Sequence, residues 1–275
     1  MNVVDVGGAN ASGIDGAAEG RPLGVVVLTY PCETAARLVA HLGASGIRVR
    51  AVILERRGLV GRARRVQRMV GWWHTVLLTA RKVGRILRRA PREEWRSGAC
   101  YARYAPEVLV VSDLNSRQCR SVLSRLEPDI AIIGEAGLLC PDIFSMPRFG
   151  TLNMHPGMLP DYRGLSSVWW AVYEGGQTGA TLHFVDRNID TGPIVSRRAV
   201  PPLPGDTFES LQRRIVDTNL DMVVQALHRL SRERFLPAVP QPSFAGKTYH
   251  AMPLELRRTA VQRLAAATEP RPGGA

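Results

Sequence analysis

Short runs of β-branched and aliphatic residues alternate with longer amphipathic stretches along most of this 275-residue chain. The first run, GVVVLTY (24–30), is apolar at successive positions, as a strand covered on both faces requires. ETAARLVAHLGASG follows with apolar residues at helical spacing and stops at Gly43 and Gly46. RVRAVILE (48–55) is a second strand. Strand, helix and strand within about 30 residues predict a βαβ unit with parallel strands and a right-handed crossover. The rhythm breaks at residue 56. It resumes with EVLVVS (107–112), a helix starting near Asn115, and DIAIIG (129–134). FGTLNMH is the next strand, and SSVWWAVYEGG is a helix that ends at Gly175, with Ser166 and Ser167 as its caps. GATLHFVD (179–186) and PIVSRRAV (193–200) predict a strand pair. TFESLQRRIVDTNLDMVVQALHRL is a long amphipathic helix, 237–242 a Pro-rich connector, and the stretch through LELRRTAVQRLAAA a final helix.

This alternation predicts an α/β fold, Rossmann-like, built on a mostly parallel sheet. The expected organisation is a disordered leader over 1–21, a main domain over 22–205, a C-terminal helical extension over 206–268 and a tail over 269–275. No internal repeat is visible. No run reaches the roughly 20 apolar residues that span a bilayer. The first 20 residues lack the basic and apolar regions of a signal peptide, so a cytoplasmic location is expected. Cys32, Cys100, Cys119 and Cys140 are scattered, without redox or metal-ligand spacing, and no metal is expected.

Charge changes the picture at one place. The net charge is +12. Residues 56–103 hold 14 Arg or Lys against Glu93 and Glu94, so this segment carries the whole excess and the rest is balanced. Val66, Met69, Trp73, Val76, Leu77, Ala80, Val83 and Leu87 recur at helical spacing within it. The segment therefore predicts a basic helical insertion. Three readings stand open: an arm packed on the domain with its Arg in water, a dock for an anionic partner, or a membrane-surface element using Trp72 and Trp73.

The first strand-to-helix turn, LTYPCETA, contains no glycine. A phosphate-cradling turn needs glycines for close backbone approach, so a dinucleotide or P-loop site is not expected there. Chemistry is expected further along, in NMHPGMLPDYRG (153–164). Asn153 and His155 are two apart at the end of a predicted strand and so share a face. The carboxyl end of a parallel strand is where α/β proteins place ligands. The rigid loop that follows, with Pro156, Gly157, Pro160 and Gly164, suits a wall held in one shape. Downstream, Asp186 and Asp190 sit on a turn between two strands. An amide, an imidazole and a carboxylate suffice for acyl transfer to an amine: two donors for a developing oxyanion, and a carboxylate to hold the imidazole charged and help move a proton. On spacing alone, a His satisfied by a backbone carbonyl beside a strand-ending Asn is an equal reading.

Residues 149–195 resemble the signature half of the tetrahydrofolate-dependent formyltransferases, a family that includes methionyl-tRNA formyltransferase, glycinamide ribonucleotide transformylase and the sugar N-formyltransferases. The family pattern is met by Gly150, Asn153, His155, Leu159, Pro160, Tyr162, Arg163, Gly164, Thr178, Gly179, Thr181, His183, Asp190, Thr191 and Gly192. PDIAIIGEAGLLCPDIF (128–144) is similar to the family's strand and folate-binding loop. The resemblance covers about 108–200, extends to 24–55, and leaves out the basic segment and the last 70 or so residues. It implies a formyltransferase-type fold, 10-formyltetrahydrofolate as donor and an amine as acceptor. It implies Asn153 and His155 as the oxyanion-stabilising pair and Asp190 as the carboxylate that pairs with the His. It places the pteridine against Leu138, Leu139 and Cys140 and the turn from Asp186 through Ile189, with His183 in support. Gly157 stands where the family commonly has Ser, and no Pro follows Gly164.

The resemblance narrows the acceptor. The glycine-rich turn of the glycinamide ribonucleotide enzyme is missing, and the span after 232 is too short and helical for the barrel of the tRNA enzyme. A small amine is expected: an amino sugar, an amino acid derivative or a secondary-metabolite intermediate. Two alternatives stand beside transfer, namely hydrolysis of the same donor and a non-catalytic anion- or membrane-binding module on the same fold.

Overall fold

The structure, a computed structural model, describes residues 21–56, 98–242 and 245–269. A βαβ unit opens it: β1 (Val25–Thr29), α1 (Glu33–Ala44) and β2 (Val49–Glu55). A short α2 (Ala99–Ala102) leads to β3 (Glu107–Val111), α3 (Arg117–Leu126) and β4 (Ile130–Ile133). Next come α4 (Pro141–Phe144), β5 (Thr151–His155), β6 (Tyr162–Gly164) and α5 (Ser167–Glu174). β7 (Gly179–Phe184), β8 (Ile194–Ala199), α6 (Phe208–Glu233), β9 (Lys247–Tyr249) and α7 (Leu254–Thr268) complete the described order.

One sheet runs in the order β3-β2-β1-β4-β5-β7-β8. The first five strands are parallel, and β7 and β8 are added antiparallel. The fold is α/β and Rossmann-like, as the alternation predicts. Every residue of β1 is buried because both faces of the sheet are covered. Val25 and Val27 pack with Leu38 and Leu42 of α1 and with Leu211, Ile215 and Leu227 of α6. Val26 and Leu28 pack on the other face with Leu123 and Leu126 of α3 and Ile143 of α4. Burying one such side chain is worth about 1.5–3 kcal/mol, so the two apolar layers dominate the fold. Strand order turns outward in both directions from β1 and β4. The crevice at their carboxyl ends is a topological switch point, where open α/β sheets receive ligands.

The structure revises three local expectations. Ser166 does not cap α5. The chain enters that helix through a left-handed Ser166 (φ 57°), which turns the hydroxyl away from the helix end, where it accepts from the Met252 N–H at 3.2 Å. Ser167 is the first helical residue and donates to the Pro156 carbonyl at 2.9 Å. The cap of α3 is Ser116, whose hydroxyl accepts from Cys119 N–H, which frees the neighbouring Asn115 side chain for another task. The Pro-rich stretch is also more than a connector. Val239 forms an isolated antiparallel bridge to Ile194 of β8, and beyond it β9 pairs with β6.

Residues 57–97 of the basic helical insertion lie outside the described residues, as do residues 1–20 of the expected leader and 270–275 of the tail. The end of the insertion is described. It forms α2, whose buried Tyr101 donates from its hydroxyl to the Cys32 carbonyl at 3.1 Å, at the start of α1. Among the described residues, no helix is long and apolar enough to cross a membrane.

Candidate active site

β5 carries the first two functional side chains. Its neighbours are β4, through the pair Ile133 and Asn153, and β7, through the pairs Asn153–His183 and His155–Thr181. The cross-strand pairing sets the Asn153 amide directly beside the His183 ring. Asn153 Nδ2 lies 3.1 Å from His183 Nε2 and donates to Asp190 Oδ1 at 3.3 Å. His183 Nδ1 donates to the Phe184 carbonyl at 2.8 Å, which leaves Nε2 as the acceptor facing Asn153. Asp190 comes from the turn between β7 and β8, held there in a left-handed conformation (φ 53°) that non-glycine residues rarely adopt. Its Oδ2 accepts from the Gly164 N–H at 2.8 Å and stands 3.4 Å from His155 Nδ1, while Oδ1 stands 3.5 Å from His183 Nε2.

His155 is buried, and both its ring nitrogens face oxygen. Nε2 donates to the Tyr162 carbonyl at 2.6 Å, and Nδ1 faces Asp190. Burial pushes this imidazole below the ordinary histidine value, against the upward pull of the Asp190 carboxylate. The sequence reading had the carboxylate hold the ring charged; in the fold, desolvation is the stronger influence. Burial also works to raise Asp190, but the neighbouring His155 imidazole and the Gly164 N–H, among the groups around it, outweigh it. They hold its carboxyl well below the usual carboxylate range. The result is an ionised carboxylate between two imidazoles, next to a ring that releases its proton readily.

The loop after His155 is rigid for visible reasons. Thr181 Oγ1 donates to the Gly157 carbonyl at 2.6 Å and accepts from Leu159 N–H at 3.1 Å. Arg197 donates to the Leu159 carbonyl at 2.9 Å. Gly157 packs so closely that an added Cβ would lie 2.8 Å from His155 Nε2 and 3.0 Å from the Tyr162 carbonyl. The departure from Ser at this position is thus fitted to the His155–Tyr162 hydrogen bond.

These groups open onto a pocket of about 780 Å³ at the switch point. Asn153, His155 and Asp190 line it together with Leu138, Leu139, Asp186 and Ile189. Leu138 and Ile189 expose apolar side chains there, 69% and 38% accessible. The Asp186 carboxylate is engaged within its own turn, accepting from Thr191 Oγ1 at 2.7 Å and Asn188 N–H at 3.1 Å. Cys140 is not among the lining residues. Its N–H donates to Asn115 Oδ1 at 2.7 Å, while Asn115 Nδ2 donates to the Leu138 carbonyl at 2.9 Å. The amide of Asn115 therefore clamps the 138–140 loop. The sequence reading missed Asn115, which lies just beyond the carboxyl end of β3, a position that marks ligand sites in parallel sheets. It also missed Tyr30, Trp169, Thr248 and Tyr249, which line the same pocket from other elements. Among the described residues, no group of three or more His, Cys, Asp or Glu side chains is arranged to hold a metal ion.

Comparison with known proteins finds relatives both in sequence and in fold. Methionyl-tRNA formyltransferase of Aromatoleum aromaticum is 37% identical over 140 residues, covering 50% of this chain and 44% of that protein. The Ralstonia nicotianae enzyme of the same name is 37% identical over 129 residues, covering 46% and 39%. The chain thus spans less than half the length of these relatives. Glycinamide ribonucleotide transformylase 1 from Symbiobacterium toebii shares the fold with a TM-score of 0.55 at 21% identity, over 80% of this chain and 95% of that one. A sugar N-formyltransferase from a Shewanella species does so with a TM-score of 0.56 at 12% identity, over 88% and 87%. The family pattern described as formyl transferase matches residues 78–227. That match takes in more than half of the chain, including β3 through β8 and all three of Asn153, His155 and Asp190, and on this ground the chain belongs to the formyl transferase family.

Proposed function

We propose that this chain is an N-formyltransferase that moves a formyl group from 10-formyltetrahydrofolate to the amine of a small molecule: an amino sugar, an amino acid derivative or a secondary-metabolite intermediate. The observation that carries the reading is the meeting of Asn153, His155 and Asp190 on one wall of a pocket whose other parts are the 137–139 loop and the 186–189 turn. The folate donor supplies an activated formyl group. Leu138, Leu139, Asp186 and Ile189 would hold its pteridine end, through backbone groups and the two exposed aliphatic side chains. Cys140 would contribute through the loop it anchors.

The side chains then have separable tasks. The acceptors of Asn153 Nδ2, His183 Nε2 and Asp190 Oδ1, lie only 3.5 Å from each other. One N–H shared between them leaves the second N–H free to donate to the formyl oxygen as charge grows there. The acceptor amine forms its new C–N bond at the formyl carbon and loses one proton. The Asp190–His155 pair takes that proton, and a proton returns to the departing folate nitrogen, so the pair ends as it began. Asp190 stabilises the imidazolium that burial alone disfavours.

The described part of the lining suits an amine acceptor. Arg187 is the one Arg or Lys among the described residues of the pocket, beside the carboxylates of Glu135, Asp186 and Asp190. The test is incubation with 10-formyltetrahydrofolate and a host metabolite extract, followed by a search by mass for an amine that has gained one formyl group. Donor consumption that is the same with and without amines would instead make the chain a hydrolase.

Gly157 offers an independent check. Gly157→Ala places a methyl group against His155 Nε2 and the Tyr162 carbonyl. The ring must tilt, so turnover is expected to fall by roughly a hundredfold, the scale of a misplacement of about 1 Å. The cost in stability is expected to be about 1–3 kcal/mol, as for overpacking. Steady-state kinetics beside a denaturant titration measure both, and unchanged kcat would show that His155 has room to move.

A further inference from the structure

Gln241 lies in the Pro-rich stretch beyond the end of the family match at residue 227. The bridge between Ile194 and Val239, with both hydrogen bonds at 2.8 Å, brings that stretch back against β8 and the turn before it. The Gln241 carboxamide then makes contacts in two directions. Its Nε2 donates to the Asp190 carbonyl at 2.9 Å and to the Gly192 carbonyl at 2.8 Å. Its Oε1 accepts from Arg163 Nη2 at 2.9 Å and Nε at 3.3 Å. Both of its N–H groups and its oxygen are thereby used. Arg163 is 7% exposed, so its guanidinium depends on such a partner. The next residue, Gly164, donates its N–H to the Asp190 carboxylate. A closed circuit results: Arg163 side chain to Gln241, Gln241 to the Asp190 backbone, and the Asp190 side chain back to the Gly164 backbone.

This circuit surrounds a residue with reason to drift. Asp190 is held in the left-handed region without being glycine, which the surrounding structure must enforce. Two hydrogen bonds from one planar amide to carbonyls two residues apart fix the turn more firmly than either bond would alone. A change in the backbone angles of Asp190 would swing its carboxylate away from His155 Nδ1, 3.4 Å distant.

We propose that Gln241 is a positioning residue. It sets the backbone of the Asp190 turn so that the carboxylate stays within reach of His155, and it ties that turn to the Arg163–Gly164 strand. The proposal rests on the reading of Asp190 as the carboxylate of the reaction.

Gln241→Met keeps length and volume and removes all four hydrogen bonds. The expected result is a folded protein whose kcat is lower by roughly ten- to hundredfold, with donor KM within about threefold of wild type. The signature of positioning is read in a labelled histidine by NMR. Asp190 and His183 are the titratable groups that face His155, and a loosened Asp190 supports its imidazolium less. The His155 ring of Gln241→Met should therefore titrate at lower pH than in wild type, in the direction of Asp190→Asn. Gln241→Glu separates the two arms. It can still pair with Arg163 but sets a carboxylate oxygen against the two carbonyls where the N–H groups stood, so a loss of kcat at least as large is expected. Restoration of kcat by Gln241→Glu would overturn the proposal, as would Gln241→Met with kcat within twofold and an unmoved His155 titration. If Gln241→Met is normal while Asp190→Asn is inactive, the proposal alone falls. If Asp190→Asn is active, the reading of Asp190 falls and takes the proposal with it.

Discussion

Asp190→Asn leaves a folded protein whose formyl transfer is reduced by roughly a thousandfold or more, within the range of a lost proton-transfer group. The substitution keeps shape and still offers an oxygen to the Gly164 N–H, now 2.8 Å from the carboxylate. What it removes is charge. His155 loses the carboxylate that raises its proton affinity, so burial weighs more heavily on a ring already held below the ordinary histidine value. The imidazolium needed after proton uptake then has no counter-charge. If the new NH2 faces Asn153 Nδ2, it also sets donor against donor where Asp190 Oδ1 accepted at 3.3 Å. Folding should show a separate signature. A carboxyl depressed in the folded state contributes stability that is present above its unfolded value of about 3.9 and is lost as pH falls through the lower folded value. Denaturation midpoints of wild type and variant should therefore differ at neutral pH by a contribution that vanishes in strong acid. Near-normal turnover in Asp190→Asn would exclude the carboxylate from the chemistry.

How much of this was legible in the sequence depended on the range of the contacts. The β1–α1–β2 unit was visible because its determinants are local: a strand with four consecutive aliphatic residues, a helical stripe and a closing glycine. Asn153 and His155 could be placed on one face because strand geometry fixes residues two apart. Asp190 could be joined to them only through the family resemblance, because their approach depends on how β7 leaves the sheet. The three-residue strands β6 and β9 were not foreseen. They pair Tyr162–Gly164 with Lys247–Tyr249, more than eighty residues away, and three residues carry no periodicity. Gln241 was hidden for the same reason, since its role comes from a bridge to Ile194 that no local pattern announces. Ser166 and Ser167 misled because a Ser-Ser pair before an apolar run is a strong capping signal. Here the positive φ of Ser166 overrides it. The strongest signal in the sequence, the basic charge of 56–103, falls for the most part outside the described residues.

Asn153→Ala tests the other half of the mechanism. Asn153 Nδ2 lies within hydrogen-bonding distance of both His183 Nε2 and Asp190 Oδ1. They act as a mount that aims the second N–H. Removing the amide takes away one oxyanion donor, which costs roughly 10²–10³ in kcat, or about 2.7–4 kcal/mol of barrier. The donor KM should change little, because a hydrogen bond to the formyl oxygen strengthens as charge accumulates and is weak in the ground state. Asn153→Asp adds a second carboxylate beside Asp190. Two like charges at this distance should force one to take up a proton near neutral pH, so its activity should fall more steeply than that of the Ala variant as pH rises. A raised KM with kcat preserved in Asn153→Ala would mean that Asn153 only binds the donor. Transition-state stabilisation would then have to come from His155, whose Nε2 is already committed to Tyr162 at 2.6 Å and whose Nδ1 faces Asp190. Since neither ring nitrogen is free for a third partner, the amide of Asn153 is the better-placed donor, and its loss should appear in kcat.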